Sequence, residues 1–582
     1  MKHTPLTALD VALADFLDSR LPSSDPRHRW LAALTSHQWG RGHACLDLEK
    51  LRYDPAALLA WDAASIARWP DHLTEAALSL PWRHGQASPL VLHGQRLYLQ
   101  RAWHAEQSIR QHLQRRHQLP PSAPAQLSSW LDELFEPATG DPARDGQRLA
   151  CALAMERRTL VIAGGPGTGK TTTVTRLLAL LQRASPTRLH ILLAAPTGKA
   201  AARLNASIAQ ARRGLSPHWT WQDPVPAQTL HRLLKSSFQT GQRETGPRET
   251  LSADVLVLDE ASMVDLEMMA RLLQALPDHA RLILLGDRDQ LASVEAGAVL
   301  AQLCEGPLMR EHTATLTWSH RFAAGSDIAR WAEAVNQADA QGLRALWAAA
   351  PVGLNHSDTQ VTRLDFPAPS TSKRQPGLAS VLRQVWTPWW QQVRSVLQQP
   401  QGCDEVQARS LLDSFAHWGV LCALREGPWG VRALNQFSCE ALGLPPDEWA
   451  AGRPVMVTRN DDSLGVMNGD IGLCLPRQDG QQPPGLWVAF PEGTGVRWIA
   501  PARLDAVETV FAMTVHKSQG SEFAQVLLVL PSQDTPVLTR ELIYTGLTRA
   551  RERLVLCAAN EGLLRQACQR RVERSGGLAD EA

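Results

Sequence analysis

Apolar positions along the chain change their spacing twice, and each change predicts a change of architecture. Across residues 1–118 they recur at helical intervals, in Leu6–Leu21 and again in Pro55–Trp69 behind Asp54 as a cap. Pro89–Gln100 alternates about His93-Gly94, which predicts a hairpin, and Trp103–Arg116 returns to helix with exposed Arg and Gln. Leu119–Gln126, LPPSAPAQ, predicts a linker. Over residues 127–345 short continuous apolar runs take over: Thr159–Ala163, His190–Ala194, the VLVL of Val255–Glu260, and Arg281–Leu285. Each ends in a polar or glycine-rich loop. This recurrence predicts a parallel α/β sheet with its ligand at the carboxyl edge. Leu316–Phe322 closes that unit.

The remainder, residues 346–582, begins with a loop at Pro367–Pro376 and a Trp-rich helix at Leu378–Gln398. From Val420 a second α/β pattern begins. It is interrupted by alternating segments, Gly452–Leu473 around the turn signal Asn468-Gly469 and then Gly485–Leu504. These predict a small β insertion over about residues 452–504. Phe511–Phe523, the buried strand Val526–Leu530 and Glu541–Leu554 restore the α/β pattern.

The 582 residues exceed one core and suggest about three or four domains. Net charge is only +1, so any contact with nucleic acid must come from local grooves. The nine cysteines show no C-x-x-C and no zinc spacing, and read as buried thiols in a reducing compartment. His43 and Cys45 read as packing. Twenty tryptophans against three tyrosines predict core anchors, Trp386, Trp389 and Trp390 among them. The chain opens without a signal-peptide pattern and holds no apolar run of about 18 residues, so the expectation is a cytoplasmic protein with no membrane span.

The candidate chemistry starts at Gly164-Gly165-Pro166-Gly167-Thr168-Gly169-Lys170-Thr171, followed by Thr172: a complete G-x-x-x-x-G-K-[ST] loop between strand and helix patterns. Glycines let backbone N–H groups turn to phosphates, Lys170 can reach the β- and γ-phosphates, and the Thr171 hydroxyl can sit on Mg²⁺. The expected ligands are ATP and Mg²⁺. Asp259 and Glu260 end the strand that follows by about 90 residues. There Asp259 is placed to hold Mg²⁺ and Glu260 to polarise water. Gln290, at the end of the next strand, can touch the γ-phosphate, and Arg321 offers a further phosphate contact. Gln147 sits on a helix just upstream of the loop, where a side-chain amide suits the adenine edge, although a helical Gln taken alone is usually a solvated side chain. Thr197, in Ala195-Pro196-Thr197-Gly198-Lys199, opens a helix from a strand end. That is a place for nucleic-acid phosphates or simply a structural turn.

The phosphate loop, VLVLDE, GDRDQL, TVHKSQGSEF and YTGLTRARERL stand in the order of the superfamily 1 helicases. GRPVMVTRNDDSLGVMNGDIG and LCALREGPWG further resemble the RecD family, the alpha subunit of exodeoxyribonuclease V in the RecBCD complex. The resemblance covers about residues 140–560, and more weakly the first unit. It implies two RecA-like domains with ATP between them, a helical N-terminal domain and an SH3-like β insertion. It implies catalytic roles for Lys170, Asp259, Glu260 and Gln290, with Gln147 reading adenine and Arg321 and Arg549 as arginine fingers. Thr197, His231, Thr514, His516 and Lys517 would line a single-strand DNA groove. The family moves 5′ to 3′ and works with RecB-like and RecC-like subunits, so the first unit, which carries no chemistry of its own, is the expected docking surface. No compact acidic nuclease cluster is present, and nuclease activity is expected on a partner. Arg551 and Arg553 read as helix-surface charge. Two alternatives remain open: a stand-alone RecD-like helicase, disfavoured because no helix–hairpin–helix repeats occur in residues 1–118, and a phosphate-loop scaffold ATPase that unwinds nothing. RNA as the track is also left open by residue logic.

Overall fold

The computed structural model describes residues 4–20, 22–80, 88–119, 121, 123–141, 143–219, 221–238, 250–319, 326–354, 359–366, 376–478 and 485–580. The polar Gly/Arg-rich stretch Gln239–Thr250, which interrupts the regular pattern of residues 127–345 and reads as an excursion from the core, lies outside them in all but its last residue, as do Arg321 and most of the Pro367–Pro376 loop. Among the described residues no helix is long and apolar enough to cross a membrane.

The N-terminal unit is helical around a small antiparallel sheet, with β1 (Cys45–Asp47) and β2 (Leu90–His93) flanking β3 (Arg96–Leu99). The first helix, Ala8–Arg20, falls where the spacing predicts it. Pro55–Trp69 does not form one helix. Ala60 takes a left-handed conformation after Pro55–Leu59, and Asp62 accepts from Ser65 N–H to cap a new short helix at Ala63. The apolar spacing survives that break, which is why periodicity alone reads straight through it.

Helix Gln100–His117 joins this unit to the next. Arg116, expected on its surface, is wholly buried. Its guanidinium donates to the carbonyls of Leu276, Pro277 and Ala280 (2.7–2.8 Å), beyond the end of helix Leu266–Ala275. Leu276 is the C-cap of that helix, whose carbonyl has no intrahelical partner, and Pro277 and Ala280 belong to the turn that follows, where Pro277 O also accepts the Ala280 N–H (3.0 Å).

The first parallel sheet contains β4 (Thr159–Gly164), β5 (Ile191–Ala195), β6 (Gln228–Thr229), β7 (Val255–Leu258), β8 (Arg281–Gly286) and β9 (Thr313–Leu316). Their order is β6-β5-β7-β8-β4-β9, every pair parallel. Buried faces on both sides explain why β4, β5 and β7 read as unbroken apolar runs. The second sheet is also parallel, ordered β10-β19-β18-β11-β17 from β10 (Val361–Asp365), β11 (Trp418–Cys422), β17 (Ala512–Thr514), β18 (Phe523–Val529) and β19 (Ala550–Ala558). Ile328, Trp331, Leu343 and Trp347, on helices Asp327–Gln337 and Ala340–Ala349, belong to this second core with Val361 and Leu542. The second unit's packing therefore starts near Asp327 rather than at 346.

The β insertion is an antiparallel sheet ordered β15-β14-β13-β12-β16, from β12 (Pro454–Val457), β13 (Ile471–Pro476), β14 (Leu486–Glu492), β15 (Gly495–Ile499) and β16 (Val507–Thr509). Since β16 pairs with β12, the sheet runs to Thr509 and not to 504. The Asn468-Gly469 turn is real, closed by Asp470 N–H to Met467 O (3.0 Å), but it ends a long connection from β12 rather than a tight hairpin. Trp386 stacks on Phe415 at 5.0 Å, and with Trp389 and Phe511 it forms buried core, as expected. All nine cysteines are unpaired, eight of them buried.

Candidate active site

The strand–loop–helix order puts the phosphate loop at the carboxyl end of β4. Gly167 and Gly169 both sit at φ +80°, left-handed backbone that suits glycine, and Gly169 immediately precedes helix Lys170–Ala184. Lys170 Nζ donates to the carbonyls of Gly164 (2.5 Å) and Gly165 (3.1 Å), so the amine lies along the loop it belongs to. Thr168, Thr171 and Thr172 line the same cleft as Pro166 and Gly167. Gln147, on helix Gly146–Glu156, donates from Nε2 to Thr168 O (3.1 Å) and accepts at Oε1 from Arg176 Nη1 (3.2 Å). The amide is thus seated on the phosphate loop itself. A phosphate loop of this form binds nucleotide.

Two neighbouring strands end beside it. Asp259 and Glu260 follow β7, and the Asp259 Oδ1 accepts the Glu260 backbone N–H (2.9 Å). Burial first, and then the adjoining Glu260 carboxylate, push the Asp259 pKa up; Lys170 opposes them. Glu260 itself sits at φ +51°, a left-handed backbone that costs a non-glycine residue about 1 kcal/mol or more. Such strain persists where a side chain must be aimed. After β8 come Asp287 and Gln290, both buried, with Gln290 Nε2 donating to Asp287 Oδ2 (3.0 Å).

The second domain closes the cleft. Arg549 is fully enclosed, which pushes its pKa down. It donates from Nη2 to Gln290 Oε1 (2.6 Å), from Nη1 to Ser521 O (3.2 Å) and from Nε to Thr545 O (3.2 Å). Leu291 is gripped from the same side: its N–H donates to Thr545 Oγ1 (3.0 Å) and its carbonyl accepts from Gln519 Nε2 (3.0 Å). Arg203 of the first domain pairs with Glu522 of the second. Between them lies a cavity of about 810 Å³ whose lining includes Lys170, Thr171, Asp259, Glu260, Gln290 and Arg549. Six separate stretches of sequence converge there.

Arg551 and Arg553 are on β19, not on a helix, and exposed Arg551 lines the cavity. The helical pattern of Glu541–Leu554 ends at Leu547, where the chain turns into the strand. Arg176, Arg203, Asp287 and Tyr544 also belong to the cleft or its rim and were not singled out. Tyr544 carried a signal in its closeness to Arg549, whereas Arg176 and Arg203 look like any helix-surface arginine.

The residues proposed to meet a nucleic-acid strand lie outside the lining of the phosphate cleft. Thr197 caps helix Gly198–Arg212, its Oγ1 accepting Ala200 N–H (3.2 Å). His231 is exposed just past β6, and since Ala195 pairs with Thr229, both residues sit at the carboxyl edge of the first sheet. Thr514 ends β17 and is buried, accepting Lys517 N–H (3.2 Å). Lys517 pairs with Glu508 on β16 of the insertion. His516 is largely enclosed; burial, then Arg574 and Arg425, lower its pKa. Gly520 backs onto Ala200, which brings the 514–520 turn up to the Thr197 helix. His43, read as packing, accepts the Ser575 N–H through Nδ1 (3.0 Å) and so receives the tail that follows the last helix.

Two parallel sheets with a phosphate loop at one carboxyl edge and an arginine delivered from the opposing domain define a two-domain ATPase of the RecA-like type. Residues 147–296 match the AAA domain model, residues 509–557 the UvrD-like helicase C-terminal domain, and residues 2–98 the N-terminal domain of RecBCD enzyme subunit RecD. The chain is 38% identical to RecBCD enzyme subunit RecD of Mycobacterium tuberculosis over 594 residues, covering 98% of this chain and 94% of the relative. To the Haemophilus influenzae subunit of the same name it is 32% identical, covering 94% and 92%. The ATP-dependent RecD2 DNA helicase of Deinococcus radiodurans is 29% identical over 83% of this chain but 58% of its own length. A solved structure of Bacteroides Pif1 bound to single-stranded DNA overlaps 73% of this chain and 93% of its own at 14% identity and a TM-score of 0.39. The chain belongs to the RecD family of RecBCD enzyme subunits.

Proposed function

We propose that this chain is the 5′-to-3′ ATP-dependent DNA helicase subunit of a helicase–nuclease complex that processes double-strand breaks for recombinational repair. Its partners are RecB-like and RecC-like chains, in the cytoplasm and on nucleoid DNA, and nuclease chemistry is left to a partner. The carrying observation is the Gln290–Arg549 hydrogen bond across the cleft. A group sensing the γ-phosphate and an arginine of the opposite domain meet directly, so hydrolysis and domain movement share one contact. A static scaffold has no need of that coupling.

Hard oxygens suit Mg²⁺, and the cleft offers the Thr171 hydroxyl and the Asp259 carboxylate. Asp259 is half-buried in the cleft wall, with the charges of Lys170 and Arg203 acting on its carboxylate. Mg²⁺ would supply charge neutralisation on the phosphates. Lys170 grips the phosphates, Glu260 orients water and takes its proton, Gln147 reads adenine, and Arg549 offsets charge that develops during transfer. Arg321 is the second arginine in this reading. Thr197, His231, Thr514, His516 and Lys517 hold the DNA strand mostly by its backbone, because a motor must ignore sequence.

The test is unwinding of a duplex bearing a 5′ single-stranded tail against one bearing a 3′ tail. The reading expects unwinding from the 5′ tail alone, lost in Lys170→Gln. Unwinding from the 3′ tail would overturn the polarity, and ATP hydrolysis indifferent to DNA would overturn the helicase.

A further inference from the structure

Tyr544 stands on the second domain's helix Arg540–Leu547, yet its phenol reaches into the first. The hydroxyl donates to Asp287 Oδ2 (3.1 Å). It also comes so near the phosphate loop that a Cβ on Gly165 would lie 2.9 Å from its oxygen. The same carboxylate oxygen accepts from Gln290 Nε2, and the other end of that amide accepts from Arg549. An amide donates at one end and accepts at the other. An ionised Asp287 only accepts and Arg549 only donates, so together they admit one orientation of Gln290. The Asp287 Oδ1 is fixed as well, accepting Asp289 N–H (3.1 Å). None of the roles assigned above uses Tyr544 or Asp287, although both are buried.

We propose that Tyr544 is a positioning residue for ATP hydrolysis: its hydroxyl holds the Asp287 carboxylate, which holds the Gln290 amide with its oxygen turned to Arg549. The inference rests on the ATPase reading of the cleft. Loss of the hydroxyl removes one of two donors from Oδ2, and the carboxylate gains freedom to rotate. Gln290 then loses its anchor while Leu291 remains tied through Thr545 and Gln519. Orientation is lost and docking is kept. The consequence belongs to turnover rather than to nucleotide affinity.

Tyr544→Phe keeps the ring and its packing, and Asp287→Asn removes the carboxylate from the same chain of contacts. Both are compared with wild type for ATP turnover on saturating single-stranded DNA, for thermal midpoint, and for amide exchange at Asp289 without nucleotide. The expected result is a fall in kcat of about tenfold with KM for ATP within about twofold. Asp289 exchange rises, the midpoint is unchanged, and the double variant is no worse than either single one, because the two act in series. Wild-type turnover with unchanged exchange in Tyr544→Phe would overturn the proposal. So would a lowered midpoint with kcat and KM both altered, which would make the contact one of general packing. If wild type hydrolyses no ATP, the ATPase reading falls instead, and Asp289 exchange alone then decides whether Tyr544 sets Asp287.

Discussion

Lys170 lies along the carbonyls of its own loop and lines the open cleft. Replacement by Gln should therefore remove ATP hydrolysis and leave the far-ultraviolet circular dichroism spectrum and thermal midpoint at wild-type values; unfolding in that variant would give Lys170 a structural role. The phosphate loop was legible because its function is local: eight consecutive residues supply backbone donors, cation and hydroxyl. Asp259 and Glu260 were legible by position after a strand. The strain at Glu260 was not, since nothing in VLVLDE announces a left-handed glutamate. Nor was the seat of Gln147, whose amide depends on Arg176, 29 residues away. Side-chain contacts between distant segments leave no trace in local spacing.

At the scale of elements, strands buried on both faces wrote themselves plainly, and edges did not. β10 is only part-buried and stands alone in sequence, so the second sheet reads as starting at Val420 when it starts at Val361. Helices Asp327–Gln337 and Ala340–Ala349 follow the first domain in the chain but pack on the second, a choice made by tertiary contacts. The buried end of helix Gln100–His117 is the clearest such case. Arg116 looks like a surface charge, yet it docks the N-terminal unit on the first ATPase domain through three carbonyls. Arg116→Met keeps the apolar stem and removes the donors to the Leu276, Pro277 and Ala280 carbonyls, of which Pro277 O keeps the Ala280 N–H. Chemical denaturation should record a loss of about 2–4 kcal/mol, and an unchanged transition would make the docking independent of Arg116.

Across the whole molecule, the cleft is built from parts that only the closed chain brings together. The first domain supplies Lys170, Thr171, Asp259, Glu260 and Gln290, and the second supplies Arg549 from beyond β18. The resemblance of the motifs implied this division of labour, and the geometry adds which atoms meet. Arg549 is enclosed by Ser521, Thr545 and Gln290, so it is held before any substrate charge develops. The most direct measurement is DNA-stimulated ATP hydrolysis by wild type and Arg549→Ala, with ATP affinity determined on the same preparations. The account predicts that the variant binds ATP as wild type does and turns it over about 10³-fold more slowly. Wild-type turnover in Arg549→Ala, or weakened ATP binding that explains the whole loss, would contradict a catalytic site shared between the two domains.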